Sequence, residues 1–448
     1  MYIIENRGIC DMKNIIDKKI INKKILTMVT LVVLLVVPFL KFLSMNLEAF
    51  KVIRNYDYIN PAIVLYVCVP FLVFVYIKDI IDKKRKLDIY DYLFYILIFT
   101  GILSIVFSID KEIAIFGKSY RHEGFLTILN YYLLFINWKI NGTKEDIKKF
   151  IKLLVIIALV NSIYVLFQIY TPFKFIIRYS LDKKMAPGLV GNPNFLGTLL
   201  VTILGMVACE FLLNKKINFK EILIIILLSV ALINAQSTGP ILAFIILIIF
   251  LIILLKIKKQ LILKKVLLLI VILGLTYTSV HFINKIVYKS ERCEMCDVEK
   301  TVKTGGNGRL QIWENSIDII KKYPITGVGF DNFYLAYPNP KIPNVFTFII
   351  TNDTITKQVN YISIYDNAHN VYLHTLVSTG ILGVIPYLLL CLLTFIKGLK
   401  LNSKLGIILL SSFVVYSIQA FANISVIQVA PIYYVIIGLI LSIKEEPI

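Results

Sequence analysis

Asp366-Asn367-Ala368-His369-Asn370-Val371-Tyr372-Leu373 is where the longest water-soluble segment of the chain runs into lipid-soluble sequence. Downstream, Val371–Ile396 stays apolar for longer than the roughly 20 residues a helix needs to cross a hydrocarbon core. Upstream, the polar stretch reaches back through Pro324-Ile325-Thr326-Gly327-Val328-Gly329 to Arg309-Leu310-Gln311-Ile312-Trp313-Glu314. Almost everything outside this stretch is apolar block. The chain therefore reads as a membrane scaffold built around a polar segment that ends in a histidine.

Composition supports that reading. The 448 residues are 58% hydrophobic and only 17% charged, with mean hydropathy +0.79. A soluble domain is about 45–50% apolar and about 25% charged. The apolar blocks place spans near Ile25–Leu43, Pro61–Ile77, Tyr90–Phe107, Phe125–Trp138, Phe150–Ile169, Phe195–Leu213, Ile222–Asn234, Pro240–Ile257, Val266–Phe282, Val371–Ile396, Gly406–Phe421 and Val426–Ile443. The fold class expected is all-α: a polytopic membrane protein with about 12 transmembrane helices and one large extracytoplasmic loop containing short helices. Its parts are a basic tail at 1–24, a nine-span bundle at 25–283, the large loop at 284–370 and a three-span bundle at 371–448. The last long block breaks at Gly380, with Asn370–Thr379 expected to lie along the surface before it. Asn192-Pro193 marks a helix start, a side-chain cap followed by proline in the first turn.

A formal charge of +20 invites a nucleic-acid reading, but the lysines sit in short loops between apolar blocks rather than on one soluble face. That is the positive-inside pattern. The tail, alternate loops and C-terminus carry 27 Lys and Arg, the opposing short loops 9 and the large loop 10. Long translocated loops add little to the rule. Both termini are thus expected in the cytoplasm and the large loop outside the plasma (inner) membrane, with no nucleic-acid partner. The polar tail, the length of the first span and the missing small-x-small site argue against a cleavable signal.

Cys293 and Cys296 form a lone C-x-x-C, short of the four ligands a structural zinc needs; a local disulfide and an incidental pair remain equal readings. The helix expected from Arg309 to Tyr323 carries Leu310, Trp313, Ile317 and Ile320 on one stripe, suited to the membrane surface, with Asp318 and Lys322 paired at i,i+4. Trp313 reads as an interfacial anchor. External arginines, Arg121 and Arg178 among them, either grip phosphate through forked hydrogen bonds or anchor helices at the interface. His369, beside Asp366 and between Asn367 and Asn370, is either a structural residue or a general base.

The ordered set Arg309-x-x-x-Trp313, Tyr323-Pro324-Ile325-Thr326-Gly327-Val328-Gly329, His369-Asn370-Val371-Tyr372-Leu373 and Gly380-Ile381-Leu382-Gly383 resembles the O-antigen ligase and polysaccharide polymerase superfamily. The resemblance implies an inverting, metal-independent glycan transfer needing no cofactor. Its donor would be an oligosaccharide on undecaprenyl diphosphate, and its acceptor a hydroxyl of glycan, lipid or protein, with membrane lipid around both. On that resemblance His369 is the catalytic base and Arg309 a substrate or diphosphate ligand. At Ser237-Thr238-Gly239 this chain has threonine where the family often has arginine, and Arg121 or Arg178 is expected to supply the missing charge. A non-catalytic transporter or flippase for the same lipid is the competing reading. It is disfavoured by the near absence of charge within the spans and of a counterpart to the large loop in the first half.

Overall fold

The computed structural model describes residues 21–49, 60–83, 85–119, 121–171, 185–287, 309–337, 345–351, 354–361 and 365–444. Its helices are α1 (21–49, with a π-turn at Val32–Val36), α2 (Ala62–Lys83), α3 (Ile89–Val106), α4 (Lys111–Phe116), α5 (Phe125–Asn141) and α6 (Lys144–Tyr170). They continue with α7 (Pro193–Leu213), α8 (Phe219–Asn234), α9 (Thr238–Ile257), α10 (Leu263–Val287), α11 (Arg309–Lys322), α12 (Phe333–Ala336), α13 (Val371–Lys400), α14 (Lys404–Gln419) and α15 (Ala430–Ser442). An antiparallel hairpin, β1 (Val345–Thr351) with β2 (Thr354–Tyr361), joins α12 to α13, with an irregularity between Ile349 and Ile350. Among the described residues nine helices are long and apolar enough to cross a membrane. Helices α5, α8 and α15 are shorter, at 17, 16 and 13 residues. Arg178, Cys293 and Cys296 lie outside the described residues.

Bundle packing follows from what an apolar solvent permits. Lipid offers no hydrophobic drive between helices, so close approach of small residues and buried polar side chains do the joining. On α5, Asn130 and Asn137 sit seven residues apart and donate to the carbonyls of Leu65 and Leu72 on α2, each at 3.1 Å. Both partner numbers rise together, so α2 and α5 run parallel, with α3 returning between them. Ser411 and Ser412 of α14 donate to the Gly205 and Thr202 carbonyls of α7, at 3.1 and 2.8 Å. A Cβ at Gly438 of α15 would lie 2.4 Å from the Phe135 carbonyl oxygen of α5, so only glycine allows that contact. The apolar side chains left exposed, such as Phe71, Phe99, Leu242 and Ile257, suit hydrocarbon rather than water.

Bonds among the connections sort into two sets. One set holds the basic loops: Lys23 pairs with Asp146 at 2.7 Å, Lys139 with Asp88 and Asp91 at 2.5 and 3.0 Å, and Lys404 with Glu210 at 2.8 Å. The other set joins residues near 108–124, 186–194, 234–237, 325–332, 366–370 and 423–428. Examples are Ser237 Oγ to Asn194 Oδ1 at 2.7 Å and Ser425 Oγ to Glu123 Oε1 at 2.7 Å. The candidate site sits in the second set.

Candidate functional site

The frame of the site is a broken helix repaired by a loop. Helix α13 departs from helical geometry at Gly380, with φ 62° and ψ −167°, a region essentially reserved for glycine. The break strips the Val377 and Ser378 carbonyls and the Ile381 and Leu382 amides of their partners within the helix. The 324–329 turn supplies all four replacements. Val328 N and Gly329 N donate to Val377 O and Ser378 O at 2.9 and 3.0 Å, and Ile381 N and Leu382 N donate to Pro324 O and Ile325 O at 2.9 and 3.3 Å. Ser104 Oγ of α3 adds a second donor to Ser378 O at 2.7 Å. A Cβ at Gly380 would stand 2.2 Å from Ile325 O, and one at Gly327 would stand 2.4 Å from Ser378 O. The glycines of this turn are therefore a requirement of backbone contact.

The first half of α13 starts at the proposed base. Asn370 caps it, its Oδ1 accepting from Tyr372 N and Leu373 N at 3.0 and 3.1 Å. Asn367 Oδ1 accepts from His369 N at 3.1 Å and closes a local turn. His369 is thereby held at φ 50°, a conformation histidine tolerates better than most residues but still at a cost. Five non-glycine residues among those described have positive φ, and His122, Asp331 and His369 are three of them. Strain at this end of the molecule concentrates where the polar side chains do.

Two further contacts pin the 366–370 turn. Arg121 forks onto Asp366, Nε to Oδ2 at 2.6 Å and NH2 to Oδ1 at 2.9 Å, with the two side chains 12% and 26% exposed. Trp313 Nε1 donates to Ala368 O at 3.0 Å. Trp313 is therefore a bolt between α11 and the histidine turn, where the sequence suggested an interfacial anchor. The buried face of α11 is Ile312, Asn315, Ser316 and Ile319, while Leu310 and Ile317 of the expected stripe are exposed. Packing of the 366–370 turn and α13 chose the face, and the polar Asn315 and Ser316 disguised it: Asn315 Nδ2 donates to Tyr337 OH, Ser316 Oγ to Ile312 O. Asp318 pairs with Lys321 at 3.2 Å instead of with Lys322.

Arg121 itself hangs on a pinched loop. Gly117 and Gly124 approach so closely that a Cβ on Gly124 would lie 2.2 Å from Gly117 N. Asp331 Oδ2 accepts from Lys118 N at 2.7 Å and Glu123 N at 3.4 Å, and Asn332 exchanges two bonds with the Asp110 backbone at 3.1 and 3.0 Å. Burial pushes the Glu123 carboxyl up to about 7, against the pull of Ser425, and pushes Asp331 up to about 6, against its bond from Lys118 N. His122, buried beside Lys41, is pushed down to about 3 and stays neutral. Glu123 and Asp331 had escaped notice in the sequence, and Trp313 had been read only as an interfacial anchor. Only the proximity of Glu123 to Arg121 and of Asp331 to Gly329 pointed at the first two.

The electrostatics favour a neutral imidazole at residue 369. Burial lowers its pKa, Arg121 and Arg309 lower it further, and Asp366 opposes them. Asp366 is held below the ordinary carboxylate range because the Arg121 hydrogen bond and charge outweigh its burial. Arg309, at the first turn of α11, is partly buried and has no hydrogen bond or ion pair among the described residues. Of the four residues singled out in the sequence, three, Arg121, Arg309 and His369, come together here. His374 lies close by against the Phe333 ring, with Nδ1 buried and unpartnered among the described residues.

No curated protein matches this chain. Residues 223–388 match the family model of O-antigen ligase. The match runs from α8 to the first part of α13 beyond its break, taking in Arg309, the 324–329 turn, His369 and Gly380, while Arg121 and Glu123 precede it. The arginine helix, the spliced turn and the capped histidine thus all fall within one matched segment, and the chain is a multi-helix membrane protein whose residues 223–388 are similar to the O-antigen ligase family.

Proposed function

We propose that this protein transfers an oligosaccharide from undecaprenyl diphosphate to a hydroxyl of a glycan, lipid or protein acceptor at the outer face of the plasma membrane. The observation that carries this is the pinned histidine turn. His369 is fixed from both sides by Arg121–Asp366 and Trp313–Ala368 and kept unprotonated by burial and two guanidinium groups. A neutral imidazole set in this way is a competent general base at neutral pH.

In the proposed step His369 takes the acceptor hydroxyl proton as that oxygen attacks the anomeric carbon. The bond from that carbon to the donor phosphate breaks, and the electron pair leaves on the lipid diphosphate. Backside attack inverts the anomeric centre. Arg309 meets the growing negative charge, since cations aimed at developing charge stabilise the transition state most. Arg121 serves the reaction through Asp366, and Arg178 is a further cation for the donor. The diphosphate is a sufficient leaving group, so the mechanism assigns no role to a metal or cofactor. The charge asymmetry of the loops supports cytoplasmic termini and an external 284–370 segment.

The test is reconstitution of the purified chain in liposomes with a lipid-diphosphate oligosaccharide and a hydroxyl acceptor. The reading expects a product of increased mass and release of the lipid diphosphate. Movement of the lipid across the bilayer without product would instead establish a transporter. Impermeant labelling of a cysteine at position 369 from the cytosolic side would also overturn the proposal.

A further inference from the structure

The end of the bundle away from the candidate site carries its own concentration of charge. Helix α7 starts beside Asn194, which bonds to Ser237 in the site's set of contacts, and runs 21 residues to Leu213. At 1.5 Å per residue that is about 30 Å, the thickness of a hydrocarbon core, so the α7–α8 connection emerges at the opposite face of the membrane. Three connections meet there, and lysines tie them together through oxygen acceptors. Lys265, buried at the start of α10, donates to the carbonyls of Phe211, Asn214 and Lys216, the first and last at 2.8 and 3.0 Å. Lys404 of α14 reaches Glu210 Oε1 and Asn214 Oδ1 at 2.8 and 2.7 Å. Lys258, just after α9, reaches Leu399 O and Asn402 Oδ1 at 2.9 and 2.8 Å.

These ties leave more lysines than they use. Lys215, Lys216, Lys220, Lys256, Lys259 and Lys264 are exposed and make no side-chain hydrogen bond or ion pair among the described residues. The two carboxylates nearby in sequence are engaged: Glu210 by Lys404, and Glu221, 7% exposed, by Asn214 Nδ2 and Asn218 Nδ2 at 2.5 and 3.1 Å. Asn214, Lys215, Lys216, Ile217, Asn218 and Phe219 line an open depression of about 520 Å³. Its apolar members point outward: Phe219 is 76% exposed, and Ile217, with Ile257 and Leu263 of the α9–α10 connection, is exposed as well. Four such side chains at one end of the bundle suit the acyl boundary rather than water. Topology selection accounts for lysines in these loops, but it calls for neither the rigid ties nor the outward apolar groups.

We infer that this face binds an anionic phospholipid of the leaflet opposite the candidate site, its phosphate in the depression beside Lys215 and Lys216 and its acyl chains along Ile217 and Phe219. Basic pockets at helix ends recognise such head groups. A soluble phosphate would gain nothing from Phe219 and Ile217, which favours the lipid as the source. The surface is independent of the glycan-transfer reading.

Native mass spectrometry of the full chain in dodecyl maltoside counts bound dioleoylphosphatidylglycerol, with dioleoylphosphatidylcholine as the neutral control and inorganic phosphate as the soluble competitor. Phosphatidylglycerol should be retained at least about tenfold better than phosphatidylcholine. Lys215→Gln/Lys216→Gln should weaken that retention roughly tenfold, the scale of two lysines at a charged membrane surface, and Lys215→Arg/Lys216→Arg should stay within about threefold of the parent. Lys24→Gln/Lys86→Gln removes the same charge from exposed lysines on α1 and the α2–α3 connection and should leave retention unchanged. Equal losses in the two glutamine pairs would mean that net charge alone attracts the lipid and would overturn the site, as would no loss in either. Displacement of the lipid by inorganic phosphate at matched concentration would overturn the assignment to a lipid. If Lys215→Gln/Lys216→Gln lowers the thermal midpoint, Phe219→Ser decides the matter: retention should fall, and parental retention overturns the inference.

Discussion

Gly380→Ala perturbs the splice between α13 and the 324–329 turn with a single methyl group. The new Cβ would lie 2.2 Å from Ile325 O, 2.3 Å from Ile325 C and 2.6 Å from Thr326 N, all backbone atoms that cannot swing aside. The dihedral angles at this residue cost a side-chain-bearing residue about 1–3 kcal/mol. The overlap is relieved only by moving the loop away or by closing the helix. Either movement strands some of the four bonds that join Pro324, Ile325, Val328 and Gly329 to α13, each worth about 0.5–1.5 kcal/mol net. Strain plus two lost bonds comes to about 4 kcal/mol. Gly274→Ala, in the middle of α10, is the matched control because nothing lies within 4 Å of its built Cβ. There alanine gains up to about 1 kcal/mol of helix propensity. Thermal unfolding in detergent, with glycan transfer measured beside it, should show Gly380→Ala destabilised and impaired and Gly274→Ala neutral or stabilised. Equal midpoints for the two variants would refute the splice.

Asp366→Asn removes one partner of the fork with Arg121 and should cost roughly 2 kcal/mol; a double-mutant cycle with Arg121→Gln should recover a coupling of at least about 1 kcal/mol. Transfer rate against pH tests the imidazole. With the His369 pKa held below its ordinary 6.5, the acid limb should be centred under that value and the rate flat at neutrality. Arg121→Gln removes a charge that lowers this pKa and should move the limb up, whereas Asp366→Asn should move it down. Glu123 tests the carboxyl network. Its folded pKa of about 7 lies above its ordinary 4.5, so the folded state binds the extra proton between those values and stability falls as pH rises through that window. Glu123→Gln should flatten that fall, by up to about 3 kcal/mol at pH 8, and midpoints measured at pH 5 and 8 check it.

Much of this was legible in the chain, for physical reasons. Long apolar blocks leave little freedom, so α1 to α3, α5 to α10 and α13 to α15 fall where hydropathy puts them, while the short α4 went unread. Gly380 announced its break because the apolar block that holds it is longer than one crossing needs. The Asn192-Pro193 cap read correctly because capping is local chemistry, whereas the Asn370 cap was not read although it obeys the same rule. What stayed hidden is non-local. No spacing rule connects Arg121 to Asp366 across 245 positions, or tells that Trp313 reaches Ala368 instead of lipid. The face of α11 was misread because Asn315 and Ser316 are buried by bonds that only the fold supplies. The β1–β2 hairpin was also unread, despite the β-branched and aromatic run of Val345–Thr351.

The most direct measurement is the single-turnover rate of His369→Gln in proteoliposomes preloaded with lipid-linked donor. Loss of a positioned proton acceptor should slow transfer by about 10²–10⁴-fold, with donor retention unchanged and intact donor accumulating. A rate within a few-fold of the parent would show that residue 369 takes no proton, and the chemistry would have to be sought on another side chain.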